Sequence, residues 1–147
     1  MVEFVQHYSG EPLFIDAARR IVENCPPRDQ MCEVRTLYEW VLASTRFVQD
    51  PYDKEALSTP ERMLRENLAG RKTSEDCDGL STYLATLIAA IGVRPRFRFG
   101  GSYEQGIHHV WVQAEINGRW IDMDPSIGSR LGKHHPFQIY EMEEIFE

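Results

Sequence analysis

The sequence predicts an α+β fold, in which N-terminal helices and a helix headed by Cys77 pack on a C-terminal antiparallel β-sheet. Apolar residues recur at helical spacing up to Gly92. Strand patterns follow, and Asn117-Gly118 between two of them is a strong hairpin signal because both residues tolerate positive φ. The chain of 147 residues shows no linker or repeat, so we expect one domain over residues 1–147.

The N-terminal half is predicted to form three helices. The first covers Ile15 to Asn24 and ends before a Pro-Pro pair that cannot continue it. The second follows Asp29, which can cap it, and has a clear apolar stripe. Residues 50–53 read as a loop, after which Thr59 can cap a short helix that Gly70 ends. The apolar residues expected to face inward from the last two helices are Val34, Leu37, Tyr38, Val41, Leu42, Met63, Leu64 and Leu68.

The central helix is predicted from Cys77 to about Ile91, after a polar and irregular segment at residues 71–75. Three strands are expected after it, over residues 93–99, 109–116 and 119–124. The acidic end, residues 141–147, is typical of a short amphipathic helix. The buried stripe of the central helix comprises Leu80, Leu84, Leu87, Ile88 and Ile91.

Composition excludes several classes of protein. The formal net charge of −7 argues against nucleic-acid binding, which requires an excess of Lys and Arg. No stretch is long and apolar enough to span a membrane, and no signal peptide is visible, so we expect a cytoplasmic protein. The three cysteines include no CxxC pair, and Cys25 and Cys32 are expected to be reduced thiols.

The hairpin allows side chains to be assigned to faces of the sheet. A two-residue loop pairs Ile116 with Arg119, and alternation then places the apolar residues of both strands on one face. His109 and Asp124 become diagonal neighbours on the other face, within side-chain reach. The residues expected on that second face are His109, Trp111, Gln113, Trp120, Asp122 and Asp124.

A histidine and an aspartate in this relation can form a base and the group that orients it. His108 is assigned to the opposite face of the sheet from His109 and is not expected to act as the base. Asp122 is on the same face as His109 and is the second candidate, after Asp124, for the group that orients it. Trp111, on the same face, is a candidate for substrate binding. The arrangement requires the helix headed by Cys77 to lie across this face.

Cys77 has the position of a reactive thiol. Unpaired N–H groups at a helix start stabilise a thiolate, although Asp76 and Asp78 oppose it unless Asp76 is used as the helix cap. The backbone N–H of Cys77 can bind an oxyanion, and a second donor must come from elsewhere. Three candidates for that donor stay open, namely Trp40, Gln49 and Tyr52.

Four segments together resemble the transglutaminase-like superfamily, whose members share a papain-like core. They are Asp76-Cys77-Asp78-Gly79, the run from Ile91 to Arg96, His109-Val110-Trp111-Val112 and the run from Trp120 to Ser126. The resemblance implies Cys77 as nucleophile, His109 as general base and acid, and Asp124 as orienter. It also implies a thioester resolved by water or an amine, on a protein, peptide or small amide substrate. The chain lacks an acidic calcium loop, so no metal or cofactor is expected.

Two other functions compete with a thiol enzyme. A catalytically silent member could act as a binding or assembly module, for example a phage structural or accessory protein, but such a module need not retain all three residues. A metal site is the other possibility, although neither His-His pair has the spacing of a structural zinc site. The histidines in question are His108, His109, His134 and His135.

Overall fold

The computed structural model describes residues 1–49, 59–134 and 136–147, so the predicted loop at residues 50–53 lies outside the described residues. Helices precede an antiparallel sheet, which confirms the predicted α+β fold. The elements are α1 (Val2–Tyr8), α2 (Pro12–Ile21), α3 (Gln30–Ser44), β1 (Thr45–Phe47), α4 (Pro60–Leu68), β2 (Thr73–Glu75), α5 (Cys77–Ala90), β3 (Arg94–Ser102), β4 (Gly106–Ile116), β5 (Arg119–Met123) and β6 (Ile139–Glu144).

Side-chain caps start α3 and α4 where the sequence predicts them, whereas α1 is an additional helix and α2 begins three residues before the predicted span of residues 15–24. The Asp29 carboxylate accepts the Cys32 N–H at 3.0 Å, which fixes the start of α3. The Thr59 hydroxyl accepts the Arg62 N–H at 3.2 Å at the start of α4. Leu68 was expected to face inward, and this prediction is wrong because it is 50% exposed at the end of α4.

Helix α5 forms the centre of the core and contacts α1 to α4 as well as β3 and β4. Four residues of its predicted stripe, Leu80, Leu84, Leu87 and Ile88, are fully buried. Gly92 follows with φ 84°, a conformation that suits glycine after a helix. None of the helices in the described part of the chain combines the length and apolarity that a membrane crossing requires.

The main sheet has the strand order β5-β4-β3-β6, and all of its pairs are antiparallel. The predicted C-terminal helix is wrong, because Ile139–Glu144 pairs with the edge of β3 instead. The strand is supported by an ion pair between Arg94 and Glu144 at 2.7 Å, and Ile145 after it is buried. Long-range pairing therefore overrides the local helical pattern.

The segment expected to be irregular before Cys77 contains a short strand. Residues Thr73–Glu75 pair in parallel with Thr45–Phe47, so β1 and β2 form a second, two-stranded sheet. The Val48 N–H donates to the Glu75 carbonyl at 3.0 Å and continues this pairing. The pairing fixes the chain that leads directly into Cys77.

Cys25 and Cys32 form a disulfide, so the prediction of two reduced thiols is wrong. The chain reverses direction at Pro26-Pro27 between α2 and α3, which brings the two Cα atoms to 5.8 Å. That separation lies within the range that a disulfide requires. Cys77 is the remaining cysteine and has a free thiol.

Candidate active site

Cys77 is the first residue of α5 and is partly exposed. The Asp76 carboxylate accepts the Gly79 N–H at 2.9 Å, so its charge is used to cap the helix. The Cys77 sulfur lies 3.9 Å from a carboxylate oxygen of Asp78, a weak contact. The first N–H groups of an α-helix lack partners within the helix, so the start of α5 is a position where backbone N–H groups can interact with a developing negative charge.

Helix α5 approaches the sheet from the face opposite to the one that the sequence suggested. It shares one hydrophobic core with Val110 and Val112, and the Ser81 hydroxyl donates to the Val110 carbonyl at 3.4 Å. The expectation that the helix lies across the His109 face is therefore wrong. Cys77 lies one turn before Ser81 on the same side of α5. The contact between Ser81 and Val110 therefore places Cys77 near the residues that precede Val110 in β4.

A β-bulge at His108 directly precedes the candidate base His109 in β4. Gly100 pairs with His109 and Gly101 pairs with Ile107, so His108 is the extra residue. Strict alternation, which assigned His108 to the opposite face, therefore fails here. The rings of His108 and His109 both contact Phe137, at 5.9 and 5.8 Å between centroids.

His109 and Asp124 are in contact, which confirms the proximity predicted from the hairpin. The Nε2 atom of His109 lies 2.5 Å from an oxygen of Asp124, whose side chain is 1% exposed. The backbone N–H and hydroxyl of Ser126 donate to the other oxygen at 3.1 and 2.7 Å. The carboxylate accepts the Nε2 proton, which leaves Nδ1 for Cys77.

The hydrogen bonds of His109 favour its charged form. Burial by itself lowers the pKa of His109, but hydrogen bonds to Asp124 and Cys77 and the charges of both groups raise it to about 9. The imidazolium is therefore stabilised between a carboxylate and a thiol. A proton that His109 accepts is therefore held by the neighbouring Asp124 carboxylate.

Asp122 and Trp111 are supporting residues beside His109. Asp122 accepts hydrogen bonds from the Trp111 indole at 2.8 Å and from the Gln113 amide at 2.9 Å, so it orients these side chains rather than His109. Trp111 is fully buried and stacks on His109 and Phe137, with centroids 5.9 and 5.5 Å apart. It thus offers no surface to a substrate, contrary to its predicted binding role, and instead fixes the plane of the His109 ring.

Tyr38 is a supporting residue that the sequence assigned only to the core. Its hydroxyl lies 2.9 Å from the Asp124 carbonyl and 2.6 Å from the Ser129 carbonyl. Burial raises the pKa of Tyr38, which keeps the hydroxyl protonated as a donor. The sequence signal for this supporting role is a tyrosine in an otherwise aliphatic stripe of a helix, because a buried phenol usually has a polar partner.

The three candidates for a second oxyanion donor have different surroundings. The Trp40 ring packs against Tyr83 with centroids 6.3 Å apart. Gln49 is exposed and directly follows Val48, which bonds to Glu75 just before Cys77. Tyr52 lies outside the described residues. Gln49 is therefore on the stretch of chain that runs beside the start of α5.

The histidines considered as metal ligands have other surroundings. His134 stacks on Tyr140 and its Nε2 lies 3.0 Å from the phenol oxygen, whereas His135 lies outside the described residues. His109 is bonded to Asp124, as described above. In the described ranges no group of three or more His, Cys, Asp or Glu side chains is arranged to hold a metal ion.

Comparison with protein families gives one match. A sequence model of the transglutaminase-like superfamily matches residues 15–125, a span that includes Cys77, His109 and Asp124. No curated protein is similar enough in sequence to count as a match.

Comparison of folds gives more distant similarities. A protein from Cytophaga hutchinsonii provisionally described as a cysteine protease has a TM-score of 0.62 and 14% identity, over 87% of this chain and 42% of its own. A provisionally described protease from Parabacteroides distasonis has a TM-score of 0.64 and 10% identity, over 85% and 26%. LapG from Legionella pneumophila has a TM-score of 0.51 and 12% identity, over 85% and 72%. At these identities the similarity concerns the fold, and this chain spans less than half of the first two proteins.

Proposed function

The chain belongs to the transglutaminase-like superfamily, and on this premise we propose that it is a thiol enzyme that transfers or hydrolyses the acyl group of an amide or peptide bond. One observation carries the proposal. The His109 ring lies 2.5 Å from Asp124 and close enough to Cys77 for the thiol to raise the pKa of His109, so it can act as a general base between a nucleophile and an orienting group. The fold neighbours described as proteases are consistent with this reaction class.

In the first half of the proposed reaction, Cys77 gives its proton to His109 and attacks the carbonyl carbon. The carbonyl oxygen becomes an oxyanion, which the backbone N–H of Cys77 can bind because the first N–H groups of α5 have no partner within the helix. His109 then donates its proton to the leaving nitrogen. The C–N bond breaks, the amine departs, and a thioester remains on Cys77.

In the second half, water or an amine attacks the thioester. His109 takes a proton from the attacking group, the C–S bond breaks, and the thiolate–imidazolium pair returns. Asp124 remains ionised throughout and keeps the Nε2 proton in place. Ser126 fixes one oxygen of that carboxylate, so the other is directed to His109. Whether water or an amine arrives decides between hydrolysis and cross-linking.

The proposal is tested by mass spectrometry of the Cys77 peptide after incubation with a library of peptides and amides. We expect an acyl adduct on Cys77 that disappears with time and is absent from the His109→Ala variant. Iodoacetamide provides the second readout, because Cys77 should be alkylated faster in the folded protein than in urea. No adduct, together with equal alkylation rates in both states, would instead favour a silent binding module.

A further inference from the structure

We propose that a cleft beside His109 binds a large apolar side chain on the amine side of the reacting bond. The inference rests on the proposed function and deepens it, because it names a feature of the substrate. The cleft, called the Phe137 cleft below, has a volume of 360 Å³. It is lined by Gly101, Ser102, His108, Pro136, Phe137 and Gln138.

The walls of the Phe137 cleft are fixed by the fold. The Gln138 N–H donates to the Gly101 carbonyl at 3.0 Å, which ties the returning chain to β3. The Phe137 ring stacks on Trp111 and occupies the space where a side chain on Gly100 would lie, 2.3 Å from an ideal Cβ there. Only glycine at position 100 leaves that space open, so the Phe137 ring is held in one position. The cleft is therefore formed before any ligand binds.

The lining favours an apolar ligand. Two of its polar side chains already have local partners, since the Gln138 side-chain oxygen accepts the Tyr103 N–H and the Ser102 hydroxyl accepts the Gln105 N–H, each at 3.0 Å. The Phe137 ring, Pro136 and the His108 ring, which packs against Phe137, remain as the surfaces that a ligand would contact. The volume is near the lower end of the range for ligand pockets, roughly 300–1,000 Å³, and suits one bulky side chain.

The position of the cleft decides which part of the substrate it receives. Phe137 forms its wall and also contacts His109, and His108 lies on its rim. His109 must face the nitrogen of the reacting bond, because it donates a proton to the leaving amine and accepts one from an attacking amine. A pocket on the His109 side of the Cys77–His109 pair therefore receives the residue that carries this nitrogen.

The experiment uses Cys77 acetylated by 4-nitrophenyl acetate, with phenylalaninamide, leucinamide and glycinamide as attacking amines. The amine nitrogen bonds to the thioester carbon, the C–S bond breaks, and the amine proton passes to His109. We expect phenylalaninamide and leucinamide to form their N-acetyl products at least about tenfold more efficiently than glycinamide, measured by mass spectrometry. NMR titration of the unacylated protein with the same amides measures binding without chemistry.

Variants at two adjacent positions, Ser102 and Tyr103, test the cleft and provide the controls. Ser102→Trp should fill the cleft and abolish the preference, whereas Ser102→Ala loses the same hydroxyl without filling it and should keep the preference. Tyr103→Trp adds the same ring to a residue that is 78% exposed and outside the lining, and should also keep it. A preference that survives Ser102→Trp, or no preference for the apolar amides, would overturn the inference and leave the thioester chemistry intact. If Cys77 is not acetylated, the proposed function fails, and the NMR titrations alone decide whether the cleft binds apolar amides.

Discussion

Asp124 contacts His109 at 2.5 Å from a position that is 1% exposed to solvent. Asp124 is held at two points, because the Ser126 hydroxyl donates to its other carboxylate oxygen and the Tyr38 hydroxyl lies 2.9 Å from its backbone carbonyl. A group held in this way loses little freedom when it orients a histidine. The contact therefore fixes which nitrogen of His109 carries the proton and which is available to Cys77.

Replacing Asp124 by asparagine should slow the acylation of Cys77 by at least about a hundredfold, because the amide binds the imidazolium much less strongly. Asp122→Asn is the matched control, since Asp122 bonds to Trp111 and Gln113 instead of His109. It should change the rate by less than about tenfold. Stopped-flow release of 4-nitrophenol from 4-nitrophenyl acetate measures both rates, and the reverse order would transfer the orienting role to Asp122.

The stability of the folded chain should decrease as the pH rises from about 6.5 to about 9. The folded-state pKa of His109 is raised to about 9 from an ordinary value of 6.5. The bound proton therefore stabilises the fold fully below the lower value, and this contribution is lost as the pH passes the upper one. It amounts to at most about 3 kcal/mol.

Two measurements check this dependence. Urea unfolding at pH 6 and pH 9.5 should show a smaller decrease in the His109→Gln variant than in the parent protein. Titration of the His109 ring by NMR reports the midpoint directly. A midpoint at or below about 6.5 would contradict the described hydrogen bonds.

Gly79→Ala should destabilise the protein by about 1–3 kcal/mol. An ideal Cβ at Gly79 would lie 1.9 Å from the Glu75 side chain, which is fully buried and has little room to move. Gly10→Ala is the control, because nothing lies within 4 Å of an added Cβ there. Urea denaturation compares the two, and equal stabilities would show that Glu75 can move away from the start of α5.

Removing the disulfide with the double variant Cys25→Ser/Cys32→Ser should cost about 2 kcal/mol, because it frees a short loop in the unfolded chain. The loop joins α2 and α3 and contributes none of the three candidate site residues. The rate of Cys77 alkylation by iodoacetamide should therefore change by less than about twofold in the folded variant. A large loss of reactivity would indicate that α3 transmits the change, through Tyr38, to Asp124.

Local rules were sufficient for much of this structure. Caps at Asp29, Thr59 and Asp76 start three helices, and the Asn117-Gly118 turn sets the pairing of Gln113 with Asp122. These features depend on residues close together in sequence. Counting residue pairs outward from this turn was then enough to predict that His109 and Asp124 lie close together.

The features that were missed depend on contacts between distant parts of the chain. The strand over residues 139–144 forms because β3 offers an edge, and the bulge at His108 appears only when β4 is paired with β3. Trp111 is buried because Phe137 returns across the sheet from a segment without periodic pattern. Sequence alternation can assign a residue to a face, but it cannot show what covers that face.

The most direct test of the account is a single-turnover acetylation of Cys77 by 4-nitrophenyl acetate, followed by peptide mapping at neutral pH. We predict that the acetyl group is found on Cys77, and that His109→Ala slows its transfer at least about a hundredfold while the variant remains folded. Transfer at the same rate in a folded His109→Ala variant, or acetylation of lysines without Cys77, would contradict a thiol nucleophile activated by His109.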